Sequence, residues 1–254
     1  MDWEEVTLFL LILARMSGFV LFNPLFGRQN IPGTVKSGLI MVMTVTVFLM
    51  TDQAVTVPDS VLALGIHFAL ELLIGYLVGV VVQLFFYIPS LGGEIIDIQM
   101  GMSMGRTYDP NSQTSTTVTA SLLGALMMLL FFAANGHYTL LRIMMSSGNA
   151  VPYGQVAFGQ DLYWSLIELF IECTVMAIKL CMPILAAELL GQVGMGILMK
   201  VIPQINVFAI NIELKVIIGL GLLLALLAPF SEYLLRAEGQ MLSTVRQLLE
   251  GMAG

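Results

Sequence analysis

The stretch Gly92–Pro110, GGEIIDIQMGMSMGRTYDP, decides how this chain is read. It is polar and rich in glycine, yet it lies between two long apolar segments. It carries Glu94, Asp97, Gln99, Arg106 and Asp109, where a simple membrane span would carry none. Irregular polar backbone beside apolar helices survives only where protein buries it or where it lines a water-filled path. The expectation is an irregular segment that marks a passage or a subunit contact. That separates a transport component from an ordinary membrane anchor.

Inside this stretch Met100, Met102 and Met104 alternate with Gly101, Ser103 and Gly105. Methionine is unbranched and flexible, so it closes around varied shapes. Glycine on alternate positions lets the backbone bend. The triplet therefore suits a deformable seal, since hydrophobic constrictions gate pores. Filling a core is the competing use, and it accounts for most of the 18 methionines in the chain. Glu94 and Asp97 are three apart and share a face if helical. No histidine or third acid joins them, so a metal site is not expected.

Composition sets the class. The chain is 58% hydrophobic and 11% charged, against about 25% charged in a typical soluble domain. The fold class expected is all-α, a polytopic membrane protein of about six long, partly broken hydrophobic helices. A net charge of −7 argues against nucleic acid as a partner. Cys173 and Cys181 sit inside one apolar segment and read as small core residues. The acidic start, Met1-Asp2-Trp3-Glu4-Glu5, lacks the basic region of a cleaved signal, so Val6 onward is read as retained structure.

Six apolar segments are predicted: Val6–Leu21, Val35–Met50, Val61–Ile88, Val118–Ala134, Leu162–Leu190 and Ile212–Phe230. A span needs about 20 apolar residues, so the second and fourth are short and the third and fifth are long. Pro89 and Pro183 are expected to break or bend the ends of the two long ones. Arg15, Glu71, Glu168, Glu172, Lys179 and Glu188 fall inside these segments. Charges facing lipid are costly, so the helices are expected to face protein, with bases supplied by other chains. Loop charges fix no topology: Arg28, Lys36, Arg106 and Lys200 fall on one side, Arg142, Arg236 and Arg246 on the other. Pro89–Ile96 matches Pro183–Leu190 at a shift of 94, which also sets Arg106 on Lys200. The match fits a repeated bent hairpin presenting a carboxylate and a base, and so apolar a chain also produces it by composition alone.

No catalytic constellation is found. His67 and His137 are isolated, and phosphate-loop and HExxH motifs are absent. One other run stands out, Val201–Phe208, VIPQINVF. Pro203 disfavours helix before it. Gln204 and Asn206 place amides among apolar residues, which suits hydrogen bonds across a helix interface.

With these residues in hand, the chain resembles the FliR family of flagellar type III export-gate proteins. The resemblance covers nearly the whole length. It is carried by Phe26-Gly27-Arg28 with Ile31-Pro32, Glu71–Gly75, Gly93–Gly101 with Asp109-Pro110, Gly136-His137, and Pro203–Phe208. Asn211-Ile212-Glu213-Leu214 departs from the expected apolar, glycine-bearing stretch.

The resemblance implies a non-enzymatic subunit without cofactors. It implies assembly with FliP and FliQ, and contact with FlhB and FlhA, in the basal body at the bacterial inner membrane, with much of the complex toward the periplasm. Unfolded flagellar proteins would be the cargo and lipid a neighbour. It divides the chain into a FliP-like half, 1–160, and a FliQ-like hairpin, 161–254. Met100, Gly101, Met102, Ser103, Met104, Gly105 and Arg106 would form the loop that plugs the pore. Glu94, Asp97, Gln99, Asp109 and Pro110 would position that loop or meet neighbours. Pro203, Gln204, Asn206 and Phe208 would pack at a subunit contact. Two alternatives stand beside it: the equivalent subunit of a virulence-type injectisome, and a secondary transporter with discontinuous helices using Glu71 and Glu188 as coupling acids.

Overall fold

The computed structural model describes residues 3–28, 30–58, 60–102, 107–109, 114–155, 160–201 and 207–252. Helices α1 (Trp3–Phe22), α2 (Gly33–Met50) and α3 (Val61–Met100) come first. Two three-residue strands follow, β1 (Thr107–Asp109) and β2 (Thr114–Thr116). Then come α4 (Val118–Ala133), α5 (Gly136–Met145), the short α6 (Ser147–Ala150), α7 (Gln160–Val201), α8 (Val207–Ala225) and α9 (Leu227–Gly251). Among the described residues the protein is all-α apart from one small hairpin. Among them four helices are long and apolar enough to cross a membrane, and up to six spans result if each of two bent pairs counts as one.

Two expectations about the breaks are corrected. Pro89 and Pro183 end neither long helix; both lie inside, and α3 runs 40 residues and α7 runs 42. Each proline removes one intrahelical bond, to the carbonyl four residues back. The real breaks lie elsewhere. Asn135 sits in the left-handed region (φ 59°) between α4 and α5. After Ala225 the chain bends by 61° into α9. Pro229 explains that second break: in a continuous helix its ring would press on the Ala225 carbonyl. The sixth segment is thus two helices. The second, α9, is amphipathic, burying Phe230, Leu234, Ala237, Met241, Val245 and Leu249, a three-to-four spacing that composition alone did not bring out.

The chain forms two compact units, each assembled from separate stretches. The first comprises Met1–Phe85, Asn135–Phe170 and Glu238–Gly254. The second comprises Phe86–Ala134 and Ile171–Ala237. The division of α3 after Phe85 falls at the carbonyl that Pro89 leaves unbonded.

In the first unit, glycines let α1 and α3 touch backbone to backbone. A Cβ at Gly18 would fall on the Leu72 carbonyl oxygen, and one at Gly75 on the Arg15 carbonyl oxygen. One at Gly79 would lie 2.9 Å from the Phe22 carbonyl oxygen. Small residues at such a seam replace the hydrophobic drive that lipid cannot supply. Phe22 and Tyr76 pack edge to face beside it, centroids 4.9 Å apart. Helix α1 ends at Asn23-Pro24, because proline disfavours helix in the residue before it. The Asn23 side chain accepts from Leu25 N at 2.9 Å, and its carbonyl from Gly27 N at 2.7 Å. This turn gives Phe26-Gly27-Arg28 its form. A side chain at Gly27 would collide with two carbonyl oxygens, and Lys36 Nζ donates to the Gly27 carbonyl at 2.8 Å.

Candidate functional site: a carboxylate clamp at the end of α3

The stretch Gly92–Pro110 is not irregular throughout. Its first nine residues, Gly92–Met100, continue α3. The helix stops where glycine permits it. Gly101 takes φ +79°, Gly101 N donates to Ile98 O at 3.1 Å, and Met102 N to Asp97 O at 2.8 Å. This pair of bonds around a left-handed glycine satisfies the last carbonyls of a helix.

Asp97 also holds the next helix. Its side chain is fully buried. Oδ2 accepts from Thr119 N at 2.8 Å, and Oδ1 from Thr119 Oγ1 at 2.5 Å. Thr119 is the second residue of α4, where backbone N–H groups have no intrahelical partner. Thr117, at the cap position, makes no side-chain cap bond. The capping carboxylate therefore comes from the preceding helix, where its charge also complements the helix dipole. The approach is close: a Cβ at Gly93 would overlap the Ala120 backbone. One residue thus clamps both ends of the excursion between α3 and α4. Within it β1 and β2 pair antiparallel, Thr107 with Thr116, Tyr108 with Ser115 and Asp109 with Thr114. At its exit Thr116 Oγ1 and Ser121 Oγ lie 2.8 Å apart.

The residues singled out by sequence separate accordingly. Asp97 sits in the clamp, and both its side-chain oxygens accept from Thr119. Glu94 and Gln99 are half-buried on α3. Met100 departs from the expectation of a loop residue: it is the last residue of α3 and fully buried. Helix packing placed it there, since the glycine that ends the helix comes after it. Gly101 is exposed and Met102 half-buried. Asp109 lies on β1. Phe208 lies in α8. Ser103, Met104, Gly105, Arg106, Pro110, Pro203, Gln204 and Asn206 fall outside the described residues.

Sequence reasoning missed a second constellation, in the first unit. Arg15 Nε donates to Glu71 Oε2 at 2.6 Å, with both side chains fully buried. Arg15 Nη1 donates to Val151 O at 2.9 Å and Ser147 Oγ at 3.2 Å. The guanidinium lies 4.2 Å from the Tyr153 ring centroid, a cation–π contact. Glu71 Oε1 accepts from Gly154 N at 2.9 Å. Gln53 Nε2 donates to Gly148 O at 2.7 Å, and Gln53 Oε1 accepts from Tyr153 N at 3.3 Å. Burial pushes the Tyr153 phenol above its ordinary range, with the Arg15 charge offsetting part of the rise. The ring therefore stays neutral and offers Arg15 its π face.

Two expectations are corrected by this pair. Glu71 takes its base from Arg15 of the same chain, so it needs none from another. Held by a buried arginine and a backbone amide, it is also no free coupling acid for a transporter. Of the other charges in apolar segments, Glu168, Glu172 and Lys179 lie on exposed positions of α7, and Glu188 is buried. A tool for finding the Arg15–Glu71 pair existed in the sequence: a lone base and a lone acid in separate apolar segments call for each other.

The class follows from helices of spanning length, held by a buried ion pair and a capping carboxylate. The chain belongs to the bacterial export proteins, family 1, whose pattern matches residues 6–241. Within that family it is similar to the flagellar biosynthetic protein FliR of several bacteria. It is 28% identical to that of Escherichia coli (strain K12) over 87% of this chain and 86% of the relative. It is 25% identical to that of Bacillus subtilis (strain 168) over 95% and 94%. The FliR of Caulobacter vibrioides is 25% identical over 84% and 85%.

Proposed function

We propose that this chain is a subunit of the flagellar type III protein export gate, forming with FliP and FliQ the channel through which unfolded flagellar proteins leave. The observation that carries the reading is the clamp. In a member of an export family, Asp97 ties off a polar, methionine-bearing excursion between two helix ends. Met100–Arg106 then act as the seal, with Met100 as its buried root. Glu94, Asp97, Gln99, Asp109 and Pro110 position it. Pro203, Gln204, Asn206 and Phe208 pack against a neighbouring subunit. The chain divides at 160/161 into a FliP-like half and a FliQ-like hairpin.

Partner contact is supported by exposed apolar surface. Only 17% of the α2 window and 33% of the α7 window are buried within the chain. Helix α7 displays Trp164, Phe170, Ile171, Leu190 and Val193 together with Glu168, Glu172 and Lys179. A helix so charged is a poor neighbour for lipid alone. FliP, FliQ, FlhB and FlhA are the partners, the inner membrane is the site, and much of the assembly stands toward the periplasm.

The test has two parts. Native purification from a flagellated host should recover FliP and FliQ with this chain; recovery of a lone, monodisperse monomer would reject the gate. Deleting Gly101–Gly105 should raise solute permeability per assembled gate. Replacing Gly105 with proline should slow export without leakage, since proline fixes φ. Reduced abundance with unchanged permeability per gate would reassign the loop to packing.

A further inference from the structure

Gly219, on α8, is buried in the second unit. A Cβ there would overlap Sδ and Cγ of Met100 and lie 3.2 Å from Glu188 Oε1. Met100 is fully buried, and Glu188, on α7, is 1% exposed. The end of α3, the middle of α7 and the middle of α8 thus converge on one missing side chain. Glu188 Oε1 is buried with no hydrogen-bond partner among the described residues, and buried acceptors are nearly always partnered. The nearby base is Lys215, half-buried one turn before Gly219 on α8, whose charge acts on Glu188.

We propose that Gly219, with Glu188 beside it, is the socket that positions the end of α3, with Met100 as the pin. The inference rests on the seal reading of Met100–Arg106, because the pin is the root of that segment. Asp97 and Met100 lie three apart on α3 and do different work. Asp97 ties α3 to α4 through charged hydrogen bonds. Met100 ties α3 to α8 through contact alone, and a thioether can slide out of a glycine-shaped hole without breaking a polar bond. When it does, the vacated space admits a donor to Glu188, either water or the Lys215 ammonium. The unpartnered oxygen thus weakens the hold of the socket, and the end of α3 is seated without being locked. Gly219 and Glu188 are positioning residues for the seal and touch no cargo.

The decisive variant is the pair Met100→Cys with Gly219→Cys, in a background of Cys173→Ala and Cys181→Ala. Oxidation in the assembled gate should cross-link the pair and stop secretion of a flagellar substrate, and reductant should restore it, with the amount of gate on a native gel unchanged. Secretion at the same rate in both redox states would overturn the socket, as would failure of the pair to cross-link. Gly219→Ala supplies the opposite perturbation. Its methyl meets the flexible part of Met100, so it should unseat the pin and raise permeability per assembled gate several-fold. Glu188→Gln should slow secretion per gate, since a neutral amide gains less from release. If the Gly101–Gly105 deletion leaks and Gly219→Ala does not, the socket falls and the seal stands. If neither leaks, the seal itself falls.

Discussion

Glu71 and Glu188 are 0% and 1% exposed, and each lies on one of the two long apolar helices, yet their partners differ. Glu71 spends one oxygen on Arg15 and the other on Gly154 N. Glu188 Oε1 has no hydrogen-bond partner among the described residues. The first unit has an ion-paired polar centre, in which Arg15 Nη2 still lacks a hydrogen-bond partner among the described residues, reinforced by glycine contacts between α1 and α3. The second has a clamp at Asp97, with both carboxylate oxygens bonded to Thr119, and, three residues on, a socket beside an acid with no ion pair among the described residues. The difference is one of charge balance. A buried ion pair strands a charge when either partner is lost, whereas Glu188 has no paired charge to lose.

This contrast is broken most severely at Arg15. Arg15→Met leaves Glu71 buried and unpaired, and loss of one partner of a buried pair costs about 3–5 kcal/mol. The expected outcome is loss of folded chain from the membrane fraction. The double variant Arg15→Met with Glu71→Leu should recover much of it, because the stranded charge is gone. Recovery no better than in the single variant would mean that the pair fixes structure beyond its charge balance.

Asp97→Ala comes next. It removes two hydrogen bonds to a charged acceptor, worth about 1.5–3 kcal/mol, and leaves the α4 terminus uncapped. Hydrogen exchange should rise first at Thr119, whose amide the Asp97 side chain holds, while Met102, held by the Asp97 backbone carbonyl, keeps its protection. Uniform loss of protection across the second unit would show that the clamp is ordinary packing.

Gly75→Val tests the seam in the first unit. The added side chain meets the Arg15 carbonyl and Phe19 N of α1, and overpacking costs about 1–3 kcal/mol. Gly65→Ala, on the same helix with open space around it, should be neutral or stabilising by about 0.4–1 kcal/mol. Equal thermal shifts for the two would remove the seam from the account.

The smallest effect is expected at Glu188. Replacing a buried polar group with an apolar one of similar volume is often neutral or stabilising. Glu188→Leu should therefore leave the unfolding temperature unchanged or raised. A drop comparable to that of Arg15→Met would show that Glu188 has a partner, and the contrast between the two acids would collapse.

Much of the frame was legible in the chain. Long apolar runs become helices because backbone groups in an apolar medium must bond within their own segment, so α1, α2 and α4 lie within three residues of their expected limits. Asp97 stood out by its place in a polar stretch. Its bond to Thr119 was not legible, since that residue lies 22 positions on, beyond any helical period. Pro89 and Pro183 misled because a proline removes one bond, and apolar packing over ten turns outweighs that loss.

The sequence by itself carried, in its motifs, the resemblance to an export family, and it determined that this is a polytopic helical membrane protein. Composition and apolar run length suffice for that, because solvent transfer acts on each residue independently of its distant neighbours. Only the tertiary structure decided which acid meets which base, which carboxylate caps α4, and that Met100 is a buried pin. Arg15 reaches Glu71 across 56 residues, Ser147 across 132 and Val151 across 136. Contacts of that separation leave no local period in a sequence; they exist because glycines let helices approach until buried charges must find one another.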